Sequence, residues 1–182
     1  MNMPFIPPRM TRDEFFAWAD ACAEDRRYEF DGIRPVAMAG GTLNHGRIIQ
    51  SLCFALRSRL LGSVSEVLAQ DAGVATIGNA VRYPDAVVTC TKGAGMDRLV
   101  PKAMAVFEVL SPTSGRNDRI DKLREYRAVP SIRHHIILKF ASVDLTVFRR
   151  VSDTDDWTAA ALLADDVLGL PEVGIQVPVS EF

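Results

Sequence analysis

Hydrophobic positions along the chain follow two different spacings, which predict a domain containing both helices and strands. Apolar residues recur every three or four positions over 15–22 and over 44–61, as they do on one face of an amphipathic helix. A capping-box sequence at 11–14 marks the start of the first helix. A third helix is predicted over 116–128, where Pro130 stops it.

Strand-like segments fill much of the remaining chain. Two runs, 85–88 and 105–110, are almost continuously apolar, which is typical of central strands buried on both faces. The order of helices and strands predicts an α+β, or mixed α/β, domain around one central sheet. The predicted strands are a hairpin over 28–38 that turns at Asp31-Gly32, then 64–69, 73–77, 81–90, 103–110, 135–140, 145–149 and 173–177.

Length and composition narrow the class of protein. The chain has 182 residues, which suits one domain over 1–182 with a proline-rich N-terminal arm over 1–10. A hydrophobic content of 48% and a charged content of 24% exclude a disordered or collagen-like chain. No apolar run approaches the roughly 18 residues of a membrane span, and the N-terminus lacks a signal-peptide pattern. We therefore expect a cytoplasmic protein with no membrane partner.

Cysteine and charge add two observations. Cys22, Cys53 and Cys90 are widely spaced and form no C-x-x-C pair, so we expect buried thiols rather than a zinc or redox site. The net charge is -2, but 101–150 holds 10 basic and 5 acidic residues, whereas 151–182 holds 7 acidic residues and no basic one. The basic segment is either a surface for nucleic acid or a solvated helix face.

Two carboxylates occupy positions where a charge is costly. Asp85 follows Pro84 at the head of one apolar strand, and Glu108 lies inside another. An ionised carboxylate in a buried strand needs a partner, because desolvation costs several kcal/mol. A divalent cation between neighbouring strands would meet that need, and Mg²⁺ takes one or two carboxylates together with water and phosphate oxygens.

A lysine lies on the helix that follows Glu108. Asp118 and Lys122 are four residues apart and therefore share one helix face. A helix that packs back across the sheet would bring Lys122 toward both carboxylates. Two acids, one ammonium group and a divalent cation suit phosphodiester hydrolysis, in which the cation activates water and the lysine stabilises charge on the phosphate.

These residues carry a family resemblance. Pro84-Asp85 followed by Glu108 in an apolar strand resembles the PD-(D/E)XK nuclease superfamily. The order of motifs is similar to one bacterial branch, the Uma-two family of "putative restriction endonucleases", over about 11–182. The matching motifs are Tyr28-Glu29 with Asp31-Gly32, His45 at the start of a long helix, Pro84-Asp85-Ala86-Val87-Val88, Glu108-Val109-Leu110-Ser111-Pro112, Asp118, Lys122, Tyr126, Pro130 and Leu170-Pro171.

The resemblance implies a restriction-endonuclease-like core, a central mixed β-sheet flanked by helices. It also implies a Mg²⁺ site, with Mn²⁺ as the alternative ion, held by Asp85 and Glu108. Lys122 would then be catalytic, and Glu29 and His45 would be further catalytic residues. The superfamily's usual lysine follows the acid by two residues, where this chain has a leucine, so the lysine must come from the helix.

The function expected from this resemblance is metal-dependent endonuclease activity on nucleic acid, with DNA preferred over RNA. The alternative is a catalytically silent accessory module that binds nucleic acid or a protein on the same fold. Cutting both strands of a duplex calls for two sites, so a homodimer is expected. Its surface would be formed by the proline-rich N-terminal arm, the aromatic residues Phe15, Phe16 and Trp18, and the corner at Ile132-Arg133; alternatively, these aromatic residues cover the sheet as core. The arginines of the third helix are expected to ring the cleft: Arg116, Arg119, Arg124 and Arg127.

Overall fold

The computed structural model describes residues 6, 9–22, 26–38, 40–110, 116–152 and 156–182, and for 116–119 it describes the backbone. The helices are α1 (Arg12–Ala21), α2 (Leu43–Leu60) and α3 (Arg116–Arg127). The strands are β1 (Tyr28–Phe30), β2 (Pro35–Ala37), β3 (Glu66–Ala69), β4 (Val74–Ala75), β5 (Val81–Arg82), β6 (Ala86–Thr89), β7 (Ala103–Leu110), β8 (His134–Lys139), β9 (Leu145–Arg150), β10 (Trp157–Leu162), β11 (Val167–Leu170) and β12 (Ile175–Pro178).

The strands form three sheets in the described parts of the chain. The large sheet has the order β10-β9-β8-β7-β6-β3 and is mixed, because β7 and β8 run parallel while the other pairs are antiparallel. The small sheet has the order β2-β1-β5-β4, and β11 pairs with β12. The mixed α+β class and the central mixed sheet are confirmed, whereas the expectation of one sheet is wrong.

The break that divides the sheets lies at Pro84. Proline has no N–H to donate to a strand ladder, so the predicted strand over 81–90 cannot continue through this position. The chain leaves the small sheet after β5 and enters the large sheet at β6. Asp85 stands between the two sheets.

Helices α2 and α3 cover opposite faces of the large sheet. Alternate residues of a strand point to opposite faces, and Val88 and Phe107 pack with Leu52 and Leu56 of α2. Their neighbours in sequence pack with Tyr126 of α3 instead, namely Val87 and Val106. By the same alternation, Asp85 and Glu108 belong to the α3 face.

The aromatic residues of α1 form a third apolar cluster on the small sheet. Thr11 and Glu14 make the predicted capping box, and Phe15 stacks on Phe30 with ring centroids 5.0 Å apart. Phe15 and Trp18 are buried in this cluster, and Ile132 is buried beside α3. Phe15, Trp18 and Ile132 are therefore core residues, as the alternative interpretation held, whereas the homodimer itself stays a prediction.

Other expectations have simpler outcomes. Of the predicted arm over 1–10, only residues 6, 9 and 10 are described; Met10 is buried and its N–H donates to the Ile33 carbonyl. The three cysteines are free and half-buried rather than fully buried. Among the described residues, no helix is long and apolar enough to cross a membrane.

Candidate active site

The two predicted carboxylates lie beside each other on neighbouring strands. Ala86 pairs with Phe107 in the antiparallel ladder of β6 and β7, which places Asp85 next to Glu108. The Val109 N–H donates to Asp85 Oδ2 at 2.7 Å and so fixes this carboxylate against β7. Each acidic side chain keeps 16% of its surface exposed, so the pair is mostly buried yet open to solvent.

Helix α3 supplies the cation predicted at this site. Lys122 Nζ lies 3.1 Å from Glu29 Oε1 and 3.6 Å from Glu108 Oε1. One turn further along the helix, the Tyr126 hydroxyl donates to Glu108 Oε1 at 2.9 Å. The helix lysine thus reaches the position beside the strand acid, whereas the position two residues after Glu108 holds a leucine.

Glu29 joins this site to a buried ion network. Its Oε1 accepts from the Tyr83 N–H at 3.1 Å, and its Oε2 accepts from Arg82 Nη1 at 3.1 Å. Arg82 also makes a two-pronged contact with Glu125, at 2.8 and 2.7 Å, and the Thr76 hydroxyl donates to Glu125 at 2.9 Å. Glu29 is therefore held on both sides, and it holds Lys122 in turn.

His45 approaches Asp85 from the N-terminus of α2. Thr42 caps this helix by accepting from the His45 N–H at 3.3 Å, and His45 Nε2 lies 3.3 Å from Asp85 Oδ2. Gly41 makes room for the ring, because a Cβ at this position would lie 2.9 Å from His45 Nδ1. All five sequence-predicted site residues thus converge from β1, α2, the 83–85 segment, β7 and α3.

Burial and neighbouring charges shift the pKa of Glu108, the acid at the centre of the cluster. Burial raises the pKa of Glu108 to about 7; Lys122 opposes the rise, and the negative charges of Asp85 and Glu29 add to it. Burial also raises the pKa of the Tyr126 hydroxyl well above its ordinary value, and the charge of Glu108 adds to that rise. The pKa of Glu108 therefore lies close to neutral pH, and a further positive charge beside this carboxyl group would lower it.

Comparison with known proteins places the chain in a family. Residues 12–180 match the sequence model of the Uma2 family, described as "Putative restriction endonuclease". This chain belongs to the Uma2 family. Uncharacterized protein slr1290 of Synechocystis sp. (strain PCC 6803) is 29% identical to it over 181 residues, which cover 98% of this chain and 92% of that protein. The resemblance predicted from the motifs is confirmed.

A solved structure shares the fold of this Uma2 chain. The crystal structure of a "putative nuclease belonging to DUF820" from Anabaena variabilis superimposes with a TM-score of 0.73. The match covers 94% of this chain and 96% of that chain at 12% identity. At this identity the likeness establishes the fold, which is the predicted nuclease-like arrangement of sheet and helices.

Several residues of the Uma2 chain lie elsewhere than predicted, or outside the described part. Side chains at 116–119, which include Asp118 and two of the four arginines, are not described. Arg124 pairs with Asp121 at 3.5 Å on the exposed side of α3, and Arg127 lies over the rings of Phe148 and Trp157. These two arginines face away from the carboxylates, so the prediction that they ring the cleft is wrong.

Sequence reasoning missed Arg82 and Glu125. The available signals were an arginine inside an apolar strand, next to Tyr83-Pro84-Asp85, and a glutamate three positions after Lys122 on the covered side of α3. The two histidines of β8 are buried, and His134 Nε2 lies 2.7 Å from Glu172. Across the described ranges, no group of three or more His, Cys, Asp or Glu side chains is arranged to hold a metal.

Proposed function

We propose that this Uma2 chain is a Mg²⁺-dependent endonuclease acting on DNA, with Asp85 and Glu108 holding the ion and Lys122 as the catalytic cation. The observation that carries the proposal is the position of Lys122 Nζ, 3.6 Å from Glu108, whose neighbour on the next strand is Asp85. Two strand acids and one ammonium group facing one cleft form the set that phosphodiester hydrolysis requires. The family's description as restriction endonuclease favours DNA as the substrate.

The carboxylates have the properties of a divalent-cation site. Among the described residues, Asp85 is engaged through Oδ2 and Glu108 through Oε1, so the second oxygen of each can face an ion. Two carboxylates completed by water and phosphate oxygens suit Mg²⁺, with Mn²⁺ as the alternative. The raised pKa of Glu108 supports the same reading, because a cation beside it would restore the carboxylate at neutral pH.

The chain's own residues then have separate tasks. When bound, the ion neutralises charge on the phosphate and activates a water for attack. Lys122, held by Glu29 at 3.1 Å, places its ammonium group where negative charge develops on the phosphate. His45 Nε2 lies 3.3 Å from Asp85 and orients that carboxylate.

A plasmid cleavage assay tests this proposal. Supercoiled DNA should be nicked in the presence of Mg²⁺ or Mn²⁺ and remain intact with EDTA. Asp85→Asn, Glu108→Gln and Lys122→Met should each lower the rate by about 100-fold or more, because each removes a charge that faces the phosphate or the ion. Glu66→Gln is the matched control, since Glu66 pairs with Thr89 at the far end of β6 from Asp85 and should retain the wild-type rate.

Two outcomes would contradict the proposal. Cleavage at the wild-type rate in both carboxylate variants would rule out this site, because each variant removes one of the two side chains assigned to the ion. Nucleic-acid binding without cleavage of DNA or RNA by the wild-type chain would favour the silent accessory module. One site on a subunit of this size cuts one strand, so the yield of linear plasmid should rise with protein concentration as a second copy joins.

A further inference from the structure

A second concave site lies beside the candidate active site. A cavity of about 290 Å³ opens between α1, the start of β1 and the turn that follows β3. This volume is near the lower end of the range for small-ligand pockets. Its wall combines aromatic rings with arginines, among them Phe16, Tyr28, Tyr83, Arg26, Arg27 and Arg98.

The aromatic rings of the cavity are fixed by the core beneath them. Tyr28 forms a T-shaped pair with buried Trp18, with ring centroids 4.8 Å apart, and Tyr83 packs against the α1 cluster. Phe16 is covered by the Arg98 guanidinium, 5.2 Å from its ring centroid. Rings held in place before a ligand arrives lose little conformational entropy on binding, and a nucleobase is the planar partner they suit.

The arginines of the cavity are held by weak pairs that a phosphate can replace. Arg27 Nη1 lies 3.4 Å from Asp71, and Arg98 pairs with Asp20. Their side chains are 49% and 46% exposed, and the acids are more exposed still. Exposed ion pairs of this kind contribute little to the free energy of folding. Replacing the aspartate by a phosphate oxygen as the partner of the arginine therefore costs little free energy.

The cavity and the catalytic carboxylates share one stretch of backbone. Tyr83 lies two residues before Asp85, and the Gln70 N–H donates to the Asp85 carbonyl at 3.2 Å. Gln70 has φ of +46°, a left-handed conformation that non-glycine residues rarely adopt and that is frequent at functional sites. Strand alternation places Tyr28 on the face of the small sheet opposite Glu29, so the cavity meets the carboxylates at the 83–85 segment.

We propose that this cavity binds one unpaired nucleotide of the substrate strand, adjacent to the phosphate that is cleaved. The base stacks on Tyr83 and Tyr28, and the phosphate of that nucleotide is bound by Arg27 and Arg98. The inference rests on the proposed endonuclease function and adds to it a subsite for the strand. Because every base has an aromatic face, the subsite selects an unstacked nucleotide rather than a sequence.

The test compares two single-stranded DNA probes by fluorescence anisotropy in EDTA, where no cleavage occurs. One is an oligonucleotide of about 12 nucleotides, and the other has the same backbone and length but abasic sites throughout. Wild-type protein should bind the intact strand about tenfold more tightly than the abasic one, because stacking needs a base. Tyr83→Leu should remove most of that preference.

Arginine variants give a second readout and a control. Arg98→Gln alters an exposed side chain and leaves the core intact, and it should weaken binding of both probes by a similar factor. Arg57→Gln is the matched control, because Arg57 is twelve residues, or about 18 Å, along α2 from His45. It should change neither affinity.

Three results would overturn the subsite, and each is distinct from failure of the nuclease. Equal affinity of the wild type for both probes would show that no base enters the cavity. Full retention of the preference in a folded Tyr83→Leu variant would place the base elsewhere. Equal losses in Arg98→Gln and Arg57→Gln would indicate diffuse electrostatic binding. In all three cases, plasmid cleavage that depends on Asp85 would still support the nuclease. If no such cleavage were seen, both the nuclease proposal and the subsite proposal would fail.

Discussion

Replacing Arg82 by methionine tests how strongly the buried network supports the active site. The substitution keeps the apolar stem and removes a guanidinium that makes three hydrogen bonds, two to Glu125 and one to Glu29. Burial works to lower the pKa of Arg82, yet its contacts with Glu125 and Glu29 raise that pKa above the ordinary value. The attraction therefore outweighs the desolvation of the guanidinium. Removing the guanidinium leaves two carboxylates, on Glu29 and Glu125, whose side chains are only 6% and 7% exposed.

The expected loss follows from that burial. Removing one partner of a buried ion pair costs about 3–5 kcal/mol, because the remaining charge is left without compensation. For a chain of this size each kcal/mol lowers Tm by roughly 2–4 °C, so Arg82→Met should melt about 6–20 °C below the wild type. Cleavage should fall as well, since Glu29 loses one of the contacts that position it against Lys122.

The chain contains a matched control with nearly the same geometry. Arg59 makes a two-pronged contact with Glu181 at 2.8 and 2.7 Å, as Arg82 does with Glu125. The side chains of this second pair are 27% and 41% exposed, against 6% and 7% for the first. Arg59→Met should therefore cost about 1 kcal/mol or less. Guanidinium unfolding followed by circular dichroism measures both losses, and equal losses would refute the argument from burial.

Two further predictions concern side chains around the cluster. Burial, with help from the charges of Arg127 and Lys122, lowers the pKa of His135 to about 3. Below about pH 6.5 this histidine is therefore protonated in the unfolded chain but stays neutral in the native state. Between pH 7 and pH 5, the free energy of unfolding of His135→Phe, measured with denaturant, should therefore rise by about 2 kcal/mol relative to that of the wild type. Parallel pH profiles for the two proteins would contradict this prediction. Gly41→Ala should push the His45 ring away from Asp85, because the added Cβ would lie 2.9 Å from the ring. We expect kcat/KM for cleavage to fall by up to about 100-fold without loss of stability. An unchanged rate would show that His45 does not position the carboxylate.

The sequence predicted best those elements whose pattern is fixed by burial or by a cap. Strand β7 has the predicted bounds, and β6 is fully buried as the continuous apolar run indicated. The helix α3 ends within one residue of its predicted end because Pro130 follows it. Strand β10 was not predicted, since its alanine-rich, mostly exposed sequence has little strand preference and is held by pairing with β9.

In the candidate site, too, some contacts follow from local sequence patterns and others do not. The spacing of Asp85, Glu108 and Lys122 predicted residues that the structure brings together, because strand pairing and helix periodicity control their positions. The contact between Arg82 and Glu125 joins residues 43 positions apart and has no period, so no local pattern could predict it. The apolar face of α1 predicted burial without saying whether a core or a second copy covers it, and the core does.

The step at Pro84-Asp85 explains both the missed break in the sheet and the position of the site. Without an N–H at Pro84, the chain must leave one sheet and enter another, which opens a gap between the two at this point. Arg82, just before the gap, anchors Glu29 and Glu125, and Asp85, just after it, faces Glu108 across the first ladder pair of β6. The break also places Asp85 just before β6, where its side chain keeps 16% of its surface exposed. The two carboxylates therefore meet by different routes: Glu108 comes from the α3 face of an unbroken strand, and Asp85 comes from the step between two sheets.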